Sequence, residues 1–110
     1  MSFEIKTIPR FDKDIKRLAK KYPSLKFDFE ELLTNILLEP TLGTALGNDC
    51  YKIRLKISSK GKGKSGGARI ITYIQVENET IYLLSIYDKS EKSTLDEQEL
   101  DESLTEINDE

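Results

Sequence analysis

The chain has 110 residues, of which 37% are hydrophobic and 34% charged, and this size suits one domain with a buried core. No apolar run reaches the roughly 20 residues of a membrane-spanning helix, and the first ten residues lack the basic-then-apolar order of a signal peptide. We therefore expect a cytoplasmic protein with no membrane partner. The chain has no histidine and one cysteine, Cys50, which excludes an internal disulfide and the usual histidine or cysteine metal sites.

The first half of the chain predicts one strand and two helices. Residues 3–8 alternate apolar and polar side chains, as a short strand does. Residues 9–22 place apolar side chains at helical spacing, and residues 24–40 repeat that pattern after Pro23. We expect an antiparallel helical hairpin that turns at Pro23.

The second half predicts three strands and a last helix. The strand patterns cover residues 51–58, 68–76 and 81–87. Thr94 and Glu97 have the spacing of a capping box, which predicts an acidic helix over about 94–107. The order β-α-α-β-β-β-α predicts a single α+β domain over residues 1–110, with the hairpin on one face of a small, mostly antiparallel sheet and an acidic helix and tail at about 94–110.

The net charge of −3 conceals two oppositely charged segments. Residues 51–76 contain seven basic side chains and no acidic one, whereas residues 93–110 contain eight acidic side chains and no basic one. The basic segment predicts a polyanionic partner, and the alternative is a merely solvated lysine-rich face. For the acidic tail, a solvated end of the chain and a shield over the basic surface both stay open.

The glycine-rich string GKGKSGG does not form a phosphate-binding loop of the Walker type. Such a motif ending at Lys64 and Ser65 needs glycine where this chain has Ser58, and it needs a helix where this chain has a strand pattern.

Strand alternation predicts a cationic surface instead. Lys52, Arg54 and Lys56 fall on the face opposite Ile53 and Leu55, which is the open face if the hairpin covers the apolar one. Cations that contact phosphates and tyrosines that stack on bases suit single-stranded nucleic acid. Sheet packing is the alternative for the tyrosines Tyr73, Tyr82 and Tyr87.

The chain resembles the RelE/ParE superfamily of bacterial toxins over about residues 3–107, and residues 51–100 carry the resemblance most clearly. The resemblance lies in the segment SKGKGK-x-GG-x-RIIxY followed by IYxKSE, and it is closest to the HigB-like branch of RelE ribonucleases. It implies an mRNA interferase that cleaves messenger RNA in the ribosomal A site, and a cognate antitoxin, expected to be a helix-turn-helix protein, that neutralises the toxin.

The resemblance also implies chemistry without a metal or other cofactor. The 2′-hydroxyl attacks the adjacent phosphate, and a base, an acid and cations assist the reaction. By resemblance the catalytic set is Arg54, Arg69, Tyr87 and Lys89, with the acid and base roles left open. The expected RNA contacts are Lys52, Lys56, Lys60, Lys62, Lys64, Tyr73 and Lys92, with the loop lysines as mobile contacts or, alternatively, part of a plain hairpin loop.

Two other functions stay open at this point. A ParE-like member would inhibit DNA gyrase without cutting RNA, and a third possibility is a non-catalytic module that binds RNA or the ribosome. The dense cationic set with Tyr87 favours the ribonuclease, because a gyrase inhibitor does not need groups for phosphate transfer.

Overall fold

A computed structural model describes residues 2–60, 66–91 and 97–108. In chain order the elements are β1 (Glu4–Thr7), α1 (Pro9–Lys21), α2 (Leu25–Leu38), β2 (Thr44–Gly47), β3 (Cys50–Leu55), β4 (Ala68–Gln75), β5 (Thr80–Asp88) and α3 (Glu97–Asn108). The sheet order is β1-β5-β4-β3-β2, with β1 and β5 parallel and the other pairs antiparallel. The predicted α+β class, helical hairpin and mostly antiparallel sheet are confirmed.

The strand β2 was not predicted from the sequence. Its four residues are all exposed, so they carry no alternation of apolar and polar side chains. It pairs with β3 through a tight turn in which Asn48 and Asp49 have φ values of 53° and 62°. Positive φ at both central residues is typical of a hairpin turn and favours Asn and Asp, so the string GND at 47–49 was the available signal.

The helical hairpin forms because apolar side chains recur at helical spacing in both segments. Helix α1 begins at Pro9, whose missing N–H costs nothing in the first turn, and it buries Phe11 and Leu18. Helix α2 buries Leu25, Leu32 and Ile36. These side chains join the isoleucines of the sheet in one core.

The sheet presents two different rows of side chains at the end where β5 stops. Ile53 of β3 lies opposite Ile70 of β4, which lies opposite Ile86 of β5, and all three are buried in the core. Because neighbouring residues of a strand point to opposite faces, the residues that follow or precede them in each strand form a second row on the other face. The hairpin lies on the first face, where Tyr22 at the end of α1 contacts Asp88.

The C-terminal helix α3 is part of the packed domain. Ser103 and Ile107 are buried, and Leu100 and Leu104 are partly buried against the core. Arg10 of α1 forms a salt bridge with Glu99 of α3. A solvated end, one of the two alternatives for the acidic tail, therefore does not describe residues 97–108. The capping residue Thr94 lies outside the described residues. None of the helices in the described part of the chain is long and apolar enough to cross a membrane.

Candidate active site

Three of the four predicted catalytic residues lie side by side across three strands. Arg54 of β3 is the direct cross-strand partner of Arg69 in β4, and Arg69 is the direct partner of Tyr87 in β5. Directly opposed residues share one face of the sheet, with Cβ atoms about 4.5–5.5 Å apart. We call Arg54, Arg69 and Tyr87 the catalytic row. The row lies on the face opposite Ile53, as the alternation predicted for Arg54.

Two of the three side chains in the row are buried, although they lie on the face that the sequence predicted to be open. Arg54 is exposed, but Arg69 and Tyr87 each have a relative exposure of 3%. Both buried residues belong to β4 and β5, which lie inside the sheet, and β5 is buried along its whole length. The sequence pattern of one strand could not show which positions its neighbours would cover.

In the catalytic row, burial and a neighbouring like charge disfavour the positive charge of Arg69. Burial lowers the pKa of the Arg69 guanidinium, the positive charge of Arg54 lowers it further, and Tyr87 raises it. Arg69 Nη1 donates a hydrogen bond of 3.0 Å to the carbonyl oxygen of Ala68. Two guanidinium groups of like charge, one of them buried, favour an anion that would neutralise them.

Lys89, the fourth predicted catalytic residue, follows β5 directly and is exposed. Its backbone N–H donates to the carbonyl oxygen of Gly67 at 3.1 Å, so it lies at the same end of the sheet as the row. Gly67 passes very close to β3: a Cβ atom there would lie 2.0 Å from the Leu55 carbonyl oxygen. Only glycine fits this approach without a backbone shift.

Lys60 forms a salt bridge with a buried carboxylate that the sequence interpretation did not single out. Its Nζ lies 2.9 Å from Asp88 Oδ1 and 5.2 Å from the centre of the Tyr22 ring. The Tyr22 hydroxyl and the Ser90 backbone N–H also donate to Asp88. We call Tyr22, Lys60 and Asp88 the polar clamp. Lys60 is therefore held in place, and the expectation that it is a mobile loop contact is wrong for this residue.

The pKa values in the clamp reflect complementary charges. Burial raises the pKa of Asp88, but the hydrogen bonds from Tyr22, Lys60 and Ser90 outweigh it and hold the pKa well below its ordinary value. The hydrogen bond to Asp88 raises the pKa of Lys60 against a smaller opposing effect of burial. Both groups are thus stabilised in their charged forms. An acid that directly follows a tyrosine in a basic region was the only sequence signal for this pair.

A second polar cluster ties the hairpin to the segment after β3. Asp28 of α2 accepts hydrogen bonds from the Ser58 hydroxyl at 2.7 Å and the Ser58 backbone N–H at 2.9 Å. It also accepts one from the Ser24 hydroxyl at 2.8 Å. Burial raises the pKa of Asp28, but these bonds and the nearby charge of Lys56 lower it overall.

Lys52 and Lys56 border a groove of about 720 Å³ between α2 and β3. Strand β2 pairs with β3 only as far as Lys52, and the described residues supply no strand partner for Ile53–Leu55 on that side. Lys56 follows the end of β3 and lies close enough to Asp28 to affect its pKa. The predicted strand over 51–58 is therefore too long, although Lys56 is exposed between the buried Leu55 and Ile57 as the alternation predicts.

Tyr73 does not belong to the catalytic row. It lies four residues from Arg69 along β4, which corresponds to about 13 Å in a strand. Its ring pairs with that of Tyr82, with centroids 6.3 Å apart and an angle of 26° between the planes. Lys62, Lys64 and Lys92 lie outside the described residues.

The described ranges 2–60, 66–91 and 97–108 contain no group of three or more His, Cys, Asp or Glu side chains placed to hold a metal ion. Cys50 is buried, and burial together with Asp49 raises the pKa of its thiol to about 11. The thiolate is the reactive form of cysteine, so this side chain is inert near neutral pH.

Solved structures of several toxins share this fold. A double-arginine mutant of the Escherichia coli toxin RelE in the free state has a TM-score of 0.65 and 18% identity, and the match covers 97% of this chain and 99% of that one. The Mycobacterium tuberculosis RelBE2 toxin–antitoxin complex has a TM-score of 0.58 and 15% identity, covering 80% and 99%. A metal-bound toxin from Helicobacter pylori has a TM-score of 0.51 and 24% identity, covering 83% and 98%.

The family model described as the RelE toxin of the RelE/RelB toxin–antitoxin system matches residues 12–108. This range includes most of α1, all of α2 and α3, the catalytic row and the polar clamp. By this match over most of its length, the chain belongs to the RelE toxin family.

Proposed function

We propose that this toxin is a ribosome-dependent endoribonuclease that cleaves messenger RNA without a metal cofactor. The observation that carries the proposal is the catalytic row, in which two arginines and a tyrosine from three different strands meet on one face of the sheet. A toxin of a toxin–antitoxin pair that acted only by binding would not need a buried arginine beside a second arginine.

The proposed reaction begins with attack of an RNA 2′-hydroxyl oxygen on the adjacent phosphorus. The base takes the 2′ proton, the bond to the 5′ oxygen breaks, and the acid donates a proton to that oxygen. The products are a 2′,3′-cyclic phosphate and a 5′-hydroxyl. Attack of water on the cyclic phosphate breaks its bond to the 2′ oxygen and gives a 3′-phosphate. The phosphate gains negative charge in the pentavalent transition state, so cations aimed at it accelerate the reaction.

Arg54 and Arg69 are proposed to supply that positive charge. The low exposure of Arg69 strengthens its interaction with an anion, because water screens the charge less in a buried site. Binding a phosphate would also relieve the repulsion between the two guanidinium groups. Tyr87 and Lys89 are the proposed proton-transfer groups, Tyr87 in the row and Lys89 two residues further along.

Access to the row supports a role for the ribosome. Arg69 and Tyr87 are 3% exposed, so a phosphate reaches them only after covering groups move. We propose that binding in the ribosomal A site drives this movement and presents the messenger RNA. The proposed RNA contacts around the site are Lys52 and Lys56, with Lys62, Lys64 and Lys92 in the segments outside the described residues, and Tyr73 farther along β4.

The proposed protein partner is a cognate antitoxin. The M. tuberculosis structure similar to this chain is a toxin–antitoxin complex. A helix-turn-helix antitoxin, a place in the HigB-like branch and a cytoplasmic location complete the proposal, and each stays a prediction. The neighbouring gene tests the first two, because a small helix-turn-helix protein encoded beside this toxin is expected.

The test of the proposed activity is inducible expression in bacteria with mapping of RNA 5′ ends. We expect cuts within translated codons for the wild type and a loss of about 10²-fold or more for Arg69→Ala, with the fold checked by circular dichroism. Glu91→Gln, which alters an exposed ion pair with Arg17, is the matched control and should cut like the wild type. DNA breaks with intact messenger RNA would indicate gyrase inhibition, and ribosome binding without cuts would indicate a non-catalytic module.

A further inference from the structure

Asp88 is a fully buried carboxylate directly beside the catalytic row. Its relative exposure is 0%, and it follows Tyr87 in β5, so its side chain points to the opposite face of the sheet. Lys60 Nζ donates to Oδ1 at 2.9 Å, and the Ser90 N–H donates to the same oxygen at 2.9 Å, while Tyr22 donates to Oδ2. Three segments of the chain thus converge on one side chain.

Asp88 and Lys89 together hold both described ends of the connection between β3 and β4. The Asp88 side chain holds Lys60, which follows β3, and the Lys89 N–H holds the carbonyl oxygen of Gly67, which precedes β4. Gly67 is two residues from Arg69. Besides the pairing of β4 with β5, the contacts of the two residues that follow Tyr87 thus hold the chain segments next to the Arg69–Tyr87 pair.

We propose that Asp88 is a positioning residue for the catalytic row: it locks Lys60 and the end of β5 in place and thereby sets the placement of Tyr87 against Arg69. This inference rests on the proposed ribonuclease function. Asp88 does not contact the RNA in this account, and Lys60 acts through Asp88 rather than through phosphate. The raised pKa of Lys60 agrees with this role, because a lysine committed to a carboxylate stays charged and bound to it.

The proposal and a direct RNA contact by Lys60 predict different kinetics. If Lys60 bound phosphate, Lys60→Met would raise KM, and Asp88→Asn would release the amine and leave RNA binding equal or tighter. If Asp88 positions the row, both substitutions lower kcat with little change in KM. A misplacement of reacting groups by about 1 Å can cost up to about 100-fold, so we expect a loss between about 10- and 100-fold.

The experiment measures kcat and KM of messenger RNA cleavage on purified, programmed ribosomes. The variants are Asp88→Asn, Lys60→Met, Lys60→Arg and the double variant Asp88→Asn with Lys60→Met. We expect Lys60→Arg to restore most of kcat, because arginine keeps the charge and the hydrogen bond. We expect the double variant to be no worse than the poorer single one, because both act through the same contact. Glu91→Gln is the control from the same segment.

A double-mutant cycle of Asp88 and Tyr87 tests whether Asp88→Asn lowers kcat through the catalytic row. Asp88→Asn should cost little further activity in the Tyr87→Phe background, because the group that it positions is already impaired. Additive losses in that background, or a change confined to KM, would overturn the proposal. Lys60→Met leaves a buried carboxylate unpaired and can fail to fold. Asp88→Asn keeps the shape of the side chain, but it removes the charge that holds Lys60 and replaces one acceptor oxygen by an NH2 group, so it provides the test in that case.

A readout independent of activity separates this proposal from the proposed function. Hydrogen exchange of the Lys89 amide, which donates to Gly67, should become faster in Asp88→Asn and stay unchanged in Glu91→Gln. Unchanged exchange in Asp88→Asn would overturn the positioning role even if the enzyme cleaves RNA. A wild type that cleaves no RNA would overturn the proposed function and with it the catalytic part of this inference, whatever the exchange shows.

Discussion

The catalytic row and the polar clamp lie on opposite faces at one end of the sheet. Their surroundings disfavour a charged side chain in the row and favour charged side chains in the clamp. In the row, burial and Arg54 lower the pKa of Arg69, so its positive charge is disfavoured in place. In the clamp, Asp88 and Lys60 each shift the other's pKa towards the charged form. Tyr87 and Asp88 are neighbours in sequence yet belong to the two different clusters.

This contrast separates charges that serve the fold from charges that serve a ligand. A buried ion pair with its hydrogen bonds satisfied is internally complete, and breaking it destabilises the protein. Two arginines side by side repel each other, so an anion that binds between them is favoured. Functional sites commonly keep such unfavourable arrangements and are stabilised elsewhere.

The largest expected effect comes from removing the charge of Arg69 while keeping its bulk. Arg69→Met should lower the cleavage rate about 10²-fold or more, because it removes a group that stabilises the transition state. Its effect on the free energy of unfolding should stay within about 1 kcal/mol, because loss of the hydrogen bond to the Ala68 carbonyl oxygen is offset by removal of a buried cation beside Arg54. Single-turnover cleavage on ribosomes and urea unfolding measure the two. A large loss of stability would show that Arg69 supports the fold, and it would contradict the assignment of the catalytic row to ligand binding.

Breaking the clamp should lower stability in addition to its expected effect on kcat. Lys60→Met leaves the Asp88 carboxylate buried and unpaired, so we expect the free energy of unfolding to fall by about 3 kcal/mol, the low end for a buried pair. The matched control is Arg17→Met, which breaks an exposed pair with Glu91 whose side chains are 51% and 38% exposed. That change should stay within about 1 kcal/mol. Equal losses for the two variants would contradict the assignment of the clamp to the fold.

Gly67 lies between the catalytic row and the polar clamp, and its substitution tests whether its close approach to β3 positions the row. Gly67→Ala would place a Cβ atom 2.0 Å from the Leu55 carbonyl oxygen, so the backbone must shift, at a cost of about 2 kcal/mol of unfolding free energy. Gly47→Ala is the comparison: its φ of 91° strains alanine, but no atom lies within 4 Å of the new Cβ. We expect Gly67→Ala alone to reduce cleavage, and a normal cleavage rate would show that the Gly67 approach does not position the row.

The smallest effect is on the acid dependence of stability. The pKa of Asp88 in the folded protein lies below its ordinary value of 3.8, so its stabilising effect is complete above that value. It is lost as the pH falls further towards the folded-state pKa. Asp88→Asn should therefore show a shallower fall in unfolding free energy below about pH 4, measured by urea titration at several pH values. The unfolding free energy of Asp88→Asn should still fall with decreasing pH, because the pKa of Asp28 is also lowered in the folded protein.

Much of the site could be predicted because it depends on local patterns. The alternation in 51–55 placed Arg54 on the face opposite Ile53, and the structure agrees. The resemblance to the RelE family selected Arg69 and Tyr87, and the register brings both beside Arg54. The end of the predicted strand was wrong, because β3 stops at Leu55. Strand β2 was missed because a short exposed edge strand has no apolar pattern.

By itself the sequence determined the helical hairpin, the long strands and the absence of histidine chemistry, since side-chain periodicity and composition are properties of neighbouring residues. Only the tertiary structure decided that Arg54, Arg69 and Tyr87 align in one row, because register depends on turns and on an irregularity between Ile71 and Thr72. It also decided that Lys60 pairs with Asp88, 28 residues away, and that Tyr22 reaches the same carboxylate across 66 residues. Such contacts form between segments that no local pattern relates, and burial then makes them strong.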